Sequence, residues 1–269
     1  MTTQARDNAL EASIRDACKV LRLPTVGARA GALAQEAASA QQTYLSYLWA
    51  LLEAEFEDRG ERRQRRRVHE ARFPRLKTID DFRFEDAPHL PAATIYELAT
   101  GGFIDRAEPV ILIGEPGTGK SHLAIALGIA ACMQSRRVRF TTAASLVNEL
   151  IEARDDHTLS KVVARYARYE LVVLDELAYV PLSATEAELL FQVLDARAEV
   201  SALITTTNLP FSEWTAVFPE ARLCKAIVDR LTFKAHIIET GTESWRFRKT
   251  MEKLSKDDGE ARQRKGGEA

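Results

Sequence analysis

The apolar positions along the chain fall into two regimes. Up to about residue 72 they recur at helical spacing. Leu10, Ile14, Ala17 and Leu21 lie three or four residues apart and predict a helix over residues 10–23. Leu23-Pro24-Thr25-Val26-Gly27 breaks it. A long second helix is predicted from near Ala30, with Tyr44, Leu48, Leu51, Leu52, Glu55 and Phe56 setting an apolar stripe on one face. From residue 110 onward the pattern changes. Short apolar, β-branched runs at 110–113, 138–141, 171–174, 202–208 and 235–239 alternate with helical patterns at 122–132, 144–154, 159–169, 184–198 and 222–231. Unbroken runs of this kind are strands covered on both faces, and strands alternating with helices build a parallel α/β sheet.

Between the two regimes, Pro74, Pro88 and Pro91 punctuate a linker over 73–91. Phe73, Leu76, Ile79, Phe82 and Phe84 are too apolar for a free tether and are expected to pin it to the core. Residues 92–103 read as one helix. The chain thus divides into a small all-helical N-terminal domain (1–72), the linker (73–91) and a nucleotide domain (92–248). A charged, glycine-containing tail (249–269) is expected to be disordered.

The chemistry enters at the first strand. Val110-Ile111-Leu112-Ile113 runs into Gly114-Glu115-Pro116-Gly117-Thr118-Gly119-Lys120-Ser121, followed by a helix that opens with His122. Strand, glycine-rich loop and helix form the frame that a phosphate-binding loop requires. Glycines let successive N–H groups turn inward on an anion, and the helix adds its positive end. Lys120 supplies a mobile ammonium for the β- and γ-phosphates of ATP, and the Ser121 hydroxyl is suited to Mg²⁺. The third strand ends in Asp175-Glu176, at the carboxyl edge where ligands of parallel sheets bind. Asp175 is expected to hold Mg²⁺, and Glu176 to polarise the attacking water. The fourth strand ends in Thr207-Asn208, and Asn208 can hydrogen-bond the γ-phosphate or that water. As an isolated residue Asn208 would read equally as a turn former before Pro210.

Charge changes the picture only locally. The 269 residues carry a formal net charge of −2 at pH 7, so any basic surface must be confined to part of the chain. Arg62, Arg63, Arg65, Arg66 and Arg67 form such a block, with few acids nearby, and arginine is the better phosphate partner. Contact with double-stranded DNA is expected there. Lys161, Arg165 and Arg168 share one helix face and form a second candidate, for which a solvated face is as good a reading. Cys18, Cys132 and Cys224 are scattered, without Cys-x-x-Cys spacing, and read as reduced thiols of a cytoplasmic protein rather than a zinc site. No segment is apolar for long enough to span a bilayer.

Taken together, Pro-Gly-Thr-Gly-Lys-Ser, Val-Val-Leu-Asp-Glu-Leu, Thr-Thr-Thr-Asn and Asp229-Arg230-Leu231 resemble an AAA+ ATPase. Ala71-Arg72-Phe73-Pro74, residues 77–82 and 138–144, Phe211-Ser212-Glu213-Trp214 and Glu243-Ser244-Trp245-Arg246 narrow the resemblance. It points to the IstB family, helper ATPases of bacterial insertion sequences related to the DnaC helicase loaders, and covers residues 21–248. The resemblance implies strand order 5-1-4-3-2, self-association into an oligomer on DNA, ATP-dependent DNA binding and an IstA-type transposase as partner. By the same resemblance Arg230 stands where the arginine finger for a neighbour's γ-phosphate stands, and Arg246 where an arginine senses nucleotide in its own subunit. Three positions depart from the family pattern. Leu209 replaces the arginine of Asn-Arg-Pro, Ala178 replaces the glycine of Asp-Glu-Leu-Gly-Tyr, and Trp245 replaces the tyrosine of Ser-Tyr-Arg.

The function so implied is an ATP-driven DNA-binding switch that helps a transposase choose or capture target DNA. One alternative keeps the ATPase and changes the client to a replicative helicase being loaded. Another changes class, to a nucleotide-gated scaffold in which slow hydrolysis only resets binding.

Overall fold

The computed structural model describes residues 3–242 together with Ser244 and Trp245. Arg246 and the expected tail at 249–269 lie outside the described residues. The chain separates into two compact units, one ending at Arg66 and the other beginning at Arg67. The boundary falls inside one long helix.

The first unit is helical throughout. It comprises α1 (Thr3–Leu21), α2 (Pro24–Ser39) and the greater part of α3 (Tyr44–Ala71). The segment read as a breaker is narrower than expected. Pro24 takes the first turn of α2, where its missing N–H costs nothing, so the second helix starts six residues before Ala30 and ends before a separate α3. Glu55, 4% exposed, reaches from α3 to the start of α2 and accepts the N–H groups of Thr25 (2.9 Å) and Val26 (3.1 Å). Burial opposes its charge, yet Arg59 at 2.8 Å and these two N–H groups outweigh that and hold its carboxyl below the usual range. The buried face of α3 is therefore set by Leu51, Ala54 and Glu55, whereas Tyr44, Leu48 and Phe56 of the expected stripe are exposed.

The second unit is a five-stranded, wholly parallel sheet in the order β2-β3-β4-β1-β5, the implied order read from the opposite edge. The strands are β1 (Val110–Ile113), β2 (Val138–Thr142), β3 (Leu171–Asp175), β4 (Ala202–Thr207) and β5 (His236–Glu239). Every residue of β3 and β4 is buried, as continuous apolar runs require. One face carries α4 (Ala92–Ala99), α5 (Gly102–Asp105) and α6 (Lys120–Met133), with Val110, Leu112 and Val173 beneath them. The other carries α7 (Ala143–Asp155), α8 (Leu159–Ala167), α9 (Ala184–Arg197) and α10 (Ala221–Thr232), over Ile111, Val172 and Leu174. The single helix expected over 92–103 is two, because Gly101 turns left-handed (φ +85) between α4 and α5. Among the described residues no helix is long and apolar enough to cross a membrane.

The linker is pinned to this unit by four of its five expected apolar residues, Leu76 being exposed. Phe73 packs on Phe140 (ring centroids 6.0 Å apart), and Ile79, Phe82 and Phe84 join the core under α4 and α6. The last turn of α3 belongs here too, with Ala71 fully buried.

β3 leaves the sheet through an abrupt turn. Glu176 (φ +60) and Ala178 (φ +66) both adopt the left-handed conformation, while Leu177 between them is fully buried. A side chain at such a φ costs about 1 kcal/mol or more. Ala178→Gly should therefore raise stability by about 1 kcal/mol. A urea titration reads this directly as a higher midpoint at unchanged slope, and a lower midpoint would show that the buried methyl of Ala178 contributes more than its left-handed backbone costs.

Candidate functional site

Because all strands run parallel, all five deliver their carboxyl ends to one rim of the sheet. β1 ends in the glycine-rich loop. The loop is tied on both sides: Gly114 N–H donates to Thr207 O of β4 (3.2 Å), and Glu115 N–H to Gly241 O beyond β5 (3.0 Å). The Thr118 hydroxyl, in a 6% exposed residue, lies 2.8 Å from Glu115 O and 2.6 Å from the Thr240 hydroxyl. Gly119 (φ +97) caps α6, and a Cβ there would stand 2.7 Å from the Phe82 ring. Both facts exclude a side chain. Pro116 and Glu115 form the exposed tip of the loop, and Gly117 O accepts Trp245 N–H at 3.2 Å.

The first turn of α6 carries the reactive groups. Lys120 Nζ donates to the loop carbonyls of Gly114 (2.6 Å) and Glu115 (2.9 Å). Ser121 Oγ donates to Asp175 Oδ1 at 2.9 Å. The same carboxylate oxygen accepts the Thr206 hydroxyl at 2.5 Å, and that hydroxyl in turn accepts Glu176 N–H at 2.9 Å. A single buried hydroxyl thus touches both residues, Asp175 at its carboxylate and Glu176 at its backbone N–H; Asp175 is 6% exposed, whereas Glu176, on left-handed backbone, is exposed. Asn208 is half-buried directly after Thr207, the residue paired with Ile113, and so stands beside the loop at the same rim.

Ser121, Asp175 and Glu176 open on a cleft of about 990 Å³, of the size of a cofactor pocket, whereas Lys120 and Asn208 do not line it. Its other walls come from outside the sheet. The linker supplies Phe82 and His89, and the segment after β5 supplies Thr240 and Trp245. Trp245 Nε1 donates to Asp86 at 2.8 Å and joins the two walls. His122 faces the cleft but is also committed to the linker, with Nε2 2.9 Å from Thr78 O and its ring edge-on to Phe82 at 5.2 Å. Thr206, Phe82 and Trp245 are the site residues that reading the sequence missed. Three consecutive threonines in a buried strand were the available signal, since a buried hydroxyl needs a partner.

Arg230 lies elsewhere. It ends α10, ahead of β5, and so stands at the amino rim of the sheet, one strand length or ~13 Å from the loop's rim. There it bonds Asp195 (3.0 Å) and Asp229 (3.3 Å). None of the basic residues of the two expected patches lines the cleft. Arg62 pairs with Asp58 and Arg65 with Glu61, each one helical turn apart, so the block is better compensated than its composition suggested. Arg63 and Arg66 are exposed. Arg67 belongs to the second unit, where it donates to Ser135 O (3.2 Å) after α6 and pairs with Glu70 (3.1 Å). Of the second patch, Lys161 is exposed on α8, Arg165 pairs with Glu149, and Arg168 lies past the last turn of the helix.

Comparison with known proteins agrees with this geometry. A family profile described as "IstB-like ATP binding protein" matches residues 16–253. A "putative insertion sequence ATP-binding protein" of Sinorhizobium fredii is 37% identical over 233 residues, 86% of this chain and 78% of that protein. The "Insertion sequence IS5376 putative ATP-binding protein" of Geobacillus stearothermophilus is 35% identical over 246 residues, 91% of this chain and 98% of that protein. Among solved structures, AMPPCP-bound DnaA from Aquifex aeolicus (TM-score 0.53, 20% identity, 68% of this chain and 56% of that one) shares the fold. So does DnaI (TM-score 0.51, 19% identity, 61% of this chain and 90% of that one). With a profile spanning nearly its whole length and relatives of this similarity, the chain belongs to the family of IstB-like ATP-binding proteins.

Proposed function

We propose that the chain is a cytoplasmic, Mg²⁺-dependent AAA+ ATPase that binds double-stranded DNA and assists an IstA-type transposase in capturing target DNA. The observation that carries this reading is the chain of contacts from Ser121 through Asp175 and Thr206 to Glu176 at the mouth of the cleft. It places a hydroxyl and an acid suited to a metal side by side and anchors the backbone of Glu176, the base, next to them. The relatives' own descriptions, ATP-binding proteins of insertion sequences, favour transposition over helicase loading.

The residues divide the work. Lys120 and the N–H groups of the loop hold the phosphates of ATP, Lys120 turning from the loop carbonyls it now bonds. Ser121 and Asp175 offer hard oxygen donors side by side, which suits Mg²⁺. Among the described residues no group of three His, Cys, Asp or Glu side chains could hold a metal alone, so the ion fits there with phosphate oxygens and water. When bound, Mg²⁺ neutralises charge on the phosphates. Glu176 takes a proton from the attacking water, and Asn208 orients that water or the γ-phosphate. Arg230, at the far rim, serves the γ-phosphate of a neighbouring copy, which makes hydrolysis a property of the oligomer. Arg246 would report nucleotide in its own subunit. The exposed guanidinium groups of α3 track the DNA backbone. Their ion pairs are surface pairs worth ~0.5 kcal/mol each and exchange readily for phosphates. Lys161, Arg165 and Arg168 are a second, weaker surface for DNA.

Lys120→Ala should abolish ATP binding, whereas Glu176→Gln should retain it and lose hydrolysis by roughly 10²–10⁴-fold. Titration with a fluorescent ATP analogue beside a phosphate-release assay separates the two, and normal nucleotide affinity in Lys120→Ala would remove the basis of the reading. Arg230→Ala should keep ATP binding and lower turnover by roughly 10³-fold or more; unchanged turnover would make Arg230 a structural residue.

Changing Arg62, Arg63 and Arg66 together to Ala should weaken binding to all DNA sequences alike. It should also flatten the log–log dependence of affinity on salt by about two to three units, at about 0.9 per phosphate contact. ATP affinity should be unchanged. An unaltered slope in a salt series would exclude this face of α3 as the DNA-tracking surface.

A further inference from the structure

We propose that Asp195 is a positioning residue for catalysis in trans: it holds Arg230 in the orientation that a neighbouring copy's γ-phosphate requires. The inference rests on the reading of Arg230 given above. Arginine presents a planar fork with five donors, and a side chain on a long flexible stem must be fixed before it can act as a preorganised cation. Asp195 Oδ1 meets Arg230 at Nε, 3.0 Å away, and Asp229 Oδ2 meets Nη1 at 3.3 Å. The two acids hold the guanidinium at two different nitrogens, on different edges of the fork. Arg230 remains 42% exposed, so the group is oriented but not withdrawn from the surface.

The two acids differ in how well they are anchored. Asp229 is the neighbour of Arg230 in the same helix and moves with it. Asp195 belongs to the last turn of α9, which is fixed to the sheet two residues on. Arg197, 2% exposed, drives its guanidinium inward, where it donates to Tyr166 O, to Tyr169 O (3.0 Å) and to Ala202 O at the start of β4 (2.6 Å). Burial depresses the pKa of this guanidinium to about 10, which still leaves it charged at neutral pH and able to make all three bonds. Leu194 and Leu231, both almost fully buried in one apolar cluster, lock α9 against α10 at the same level. Asp195 is therefore a fixed point and Arg230 the group that needs fixing. An exposed ion pair of this kind contributes little to stability, so its effect should appear in turnover.

The test uses the full-length protein assembled on DNA. Asp195→Ala should lower kcat about 10- to 100-fold with the KM for ATP unchanged, as a misplaced catalytic group does. Asp195→Asn, which still accepts from Nε, should stay within about threefold of wild type. Mixing then locates the defect. Glu176→Gln chains carry a dead site but an intact arginine; Asp195→Ala chains carry an intact site but a misplaced arginine. Equal amounts should recover about a quarter of the wild-type rate, the share of interfaces that pair an intact arginine with an intact site. Arg230→Ala chains mixed with Glu176→Gln chains serve as the reference. Recovery in both mixtures supports the proposal. Recovery with Arg230→Ala but not with Asp195→Ala places the Asp195 defect within its own subunit and overturns it, as does normal turnover in Asp195→Ala alone. Failure of the Arg230→Ala mixture instead rejects the trans reading of Arg230, and with it the role of Asp195.

Discussion

A carboxylate withdrawn from water at the end of a buried strand organises the nucleotide unit. Asp175 closes β3, all five of whose residues are buried, and a charge in that position must be solvated by the protein. Two hydroxyls do so at one oxygen, Ser121 from α6 and Thr206 from β4. Neither is close in sequence. They meet Asp175 because β3 pairs with β4 in the register Leu174 to Thr205, and β4 pairs with β1, whose loop leads into α6. A slip of one residue between β3 and β4 would turn Thr206 to the opposite face and leave the carboxylate with half its donors. The strand order is thus as much a part of the site as the glycine-rich loop.

The same parallelism divides the chemistry between two rims. Among the described residues, those proposed to hold and attack a nucleotide triphosphate in their own subunit gather where the strands end, and Arg230 stands where they begin. Four-residue strands such as β1 and β5 cannot be bridged by an arginine side chain around the outside of the sheet. If Arg230 serves a γ-phosphate, that phosphate belongs to another copy, and the contact is head-to-tail. Head-to-tail contacts close into rings or grow as helices.

Much of this was legible in the residues because it depends on short-range rules. Unbroken β-branched runs mark strands covered on both sides, and glycines followed by Lys-Ser can hardly be read otherwise. The illegible parts depend on partners distant in sequence. The apolar stripe on α3 held only in part: Leu51 and Glu55 are buried, the acid drawn inward by the N–H groups of α2, whereas Tyr44, Leu48 and Phe56 are exposed. The five consecutive-looking arginines divide: Arg67 serves as a cap for the end of α6, while Arg62 and Arg65 find acids one turn back. Thr206 looked like one threonine among three until the register placed it between the two acids.

The three departures from the family pattern acquire separate physical meanings. Ala178 occupies a left-handed position where glycine is free of strain, so the substitution stiffens the turn behind Glu176 at some cost in stability. Leu209 packs toward the apolar cluster of Phe211 and Trp214, while Trp214 Nε1 bonds its carbonyl at 3.1 Å. An arginine there would have to abandon that cluster to reach a phosphate, so the turn in this chain is held by packing where the family offers charge. Trp245 brings an indole N–H, a donor that cannot also accept, to the Asp86 carboxylate. It ties the segment after β5 to the linker across the cleft, while its backbone N–H bonds the glycine-rich loop. Two of the three changes thus fall within two residues of groups proposed to act on the phosphates, Ala178 beside Glu176 and Leu209 beside Asn208. The third stands at the wall that faces them, so the chain varies the mounting of its chemistry and leaves the reacting groups alone.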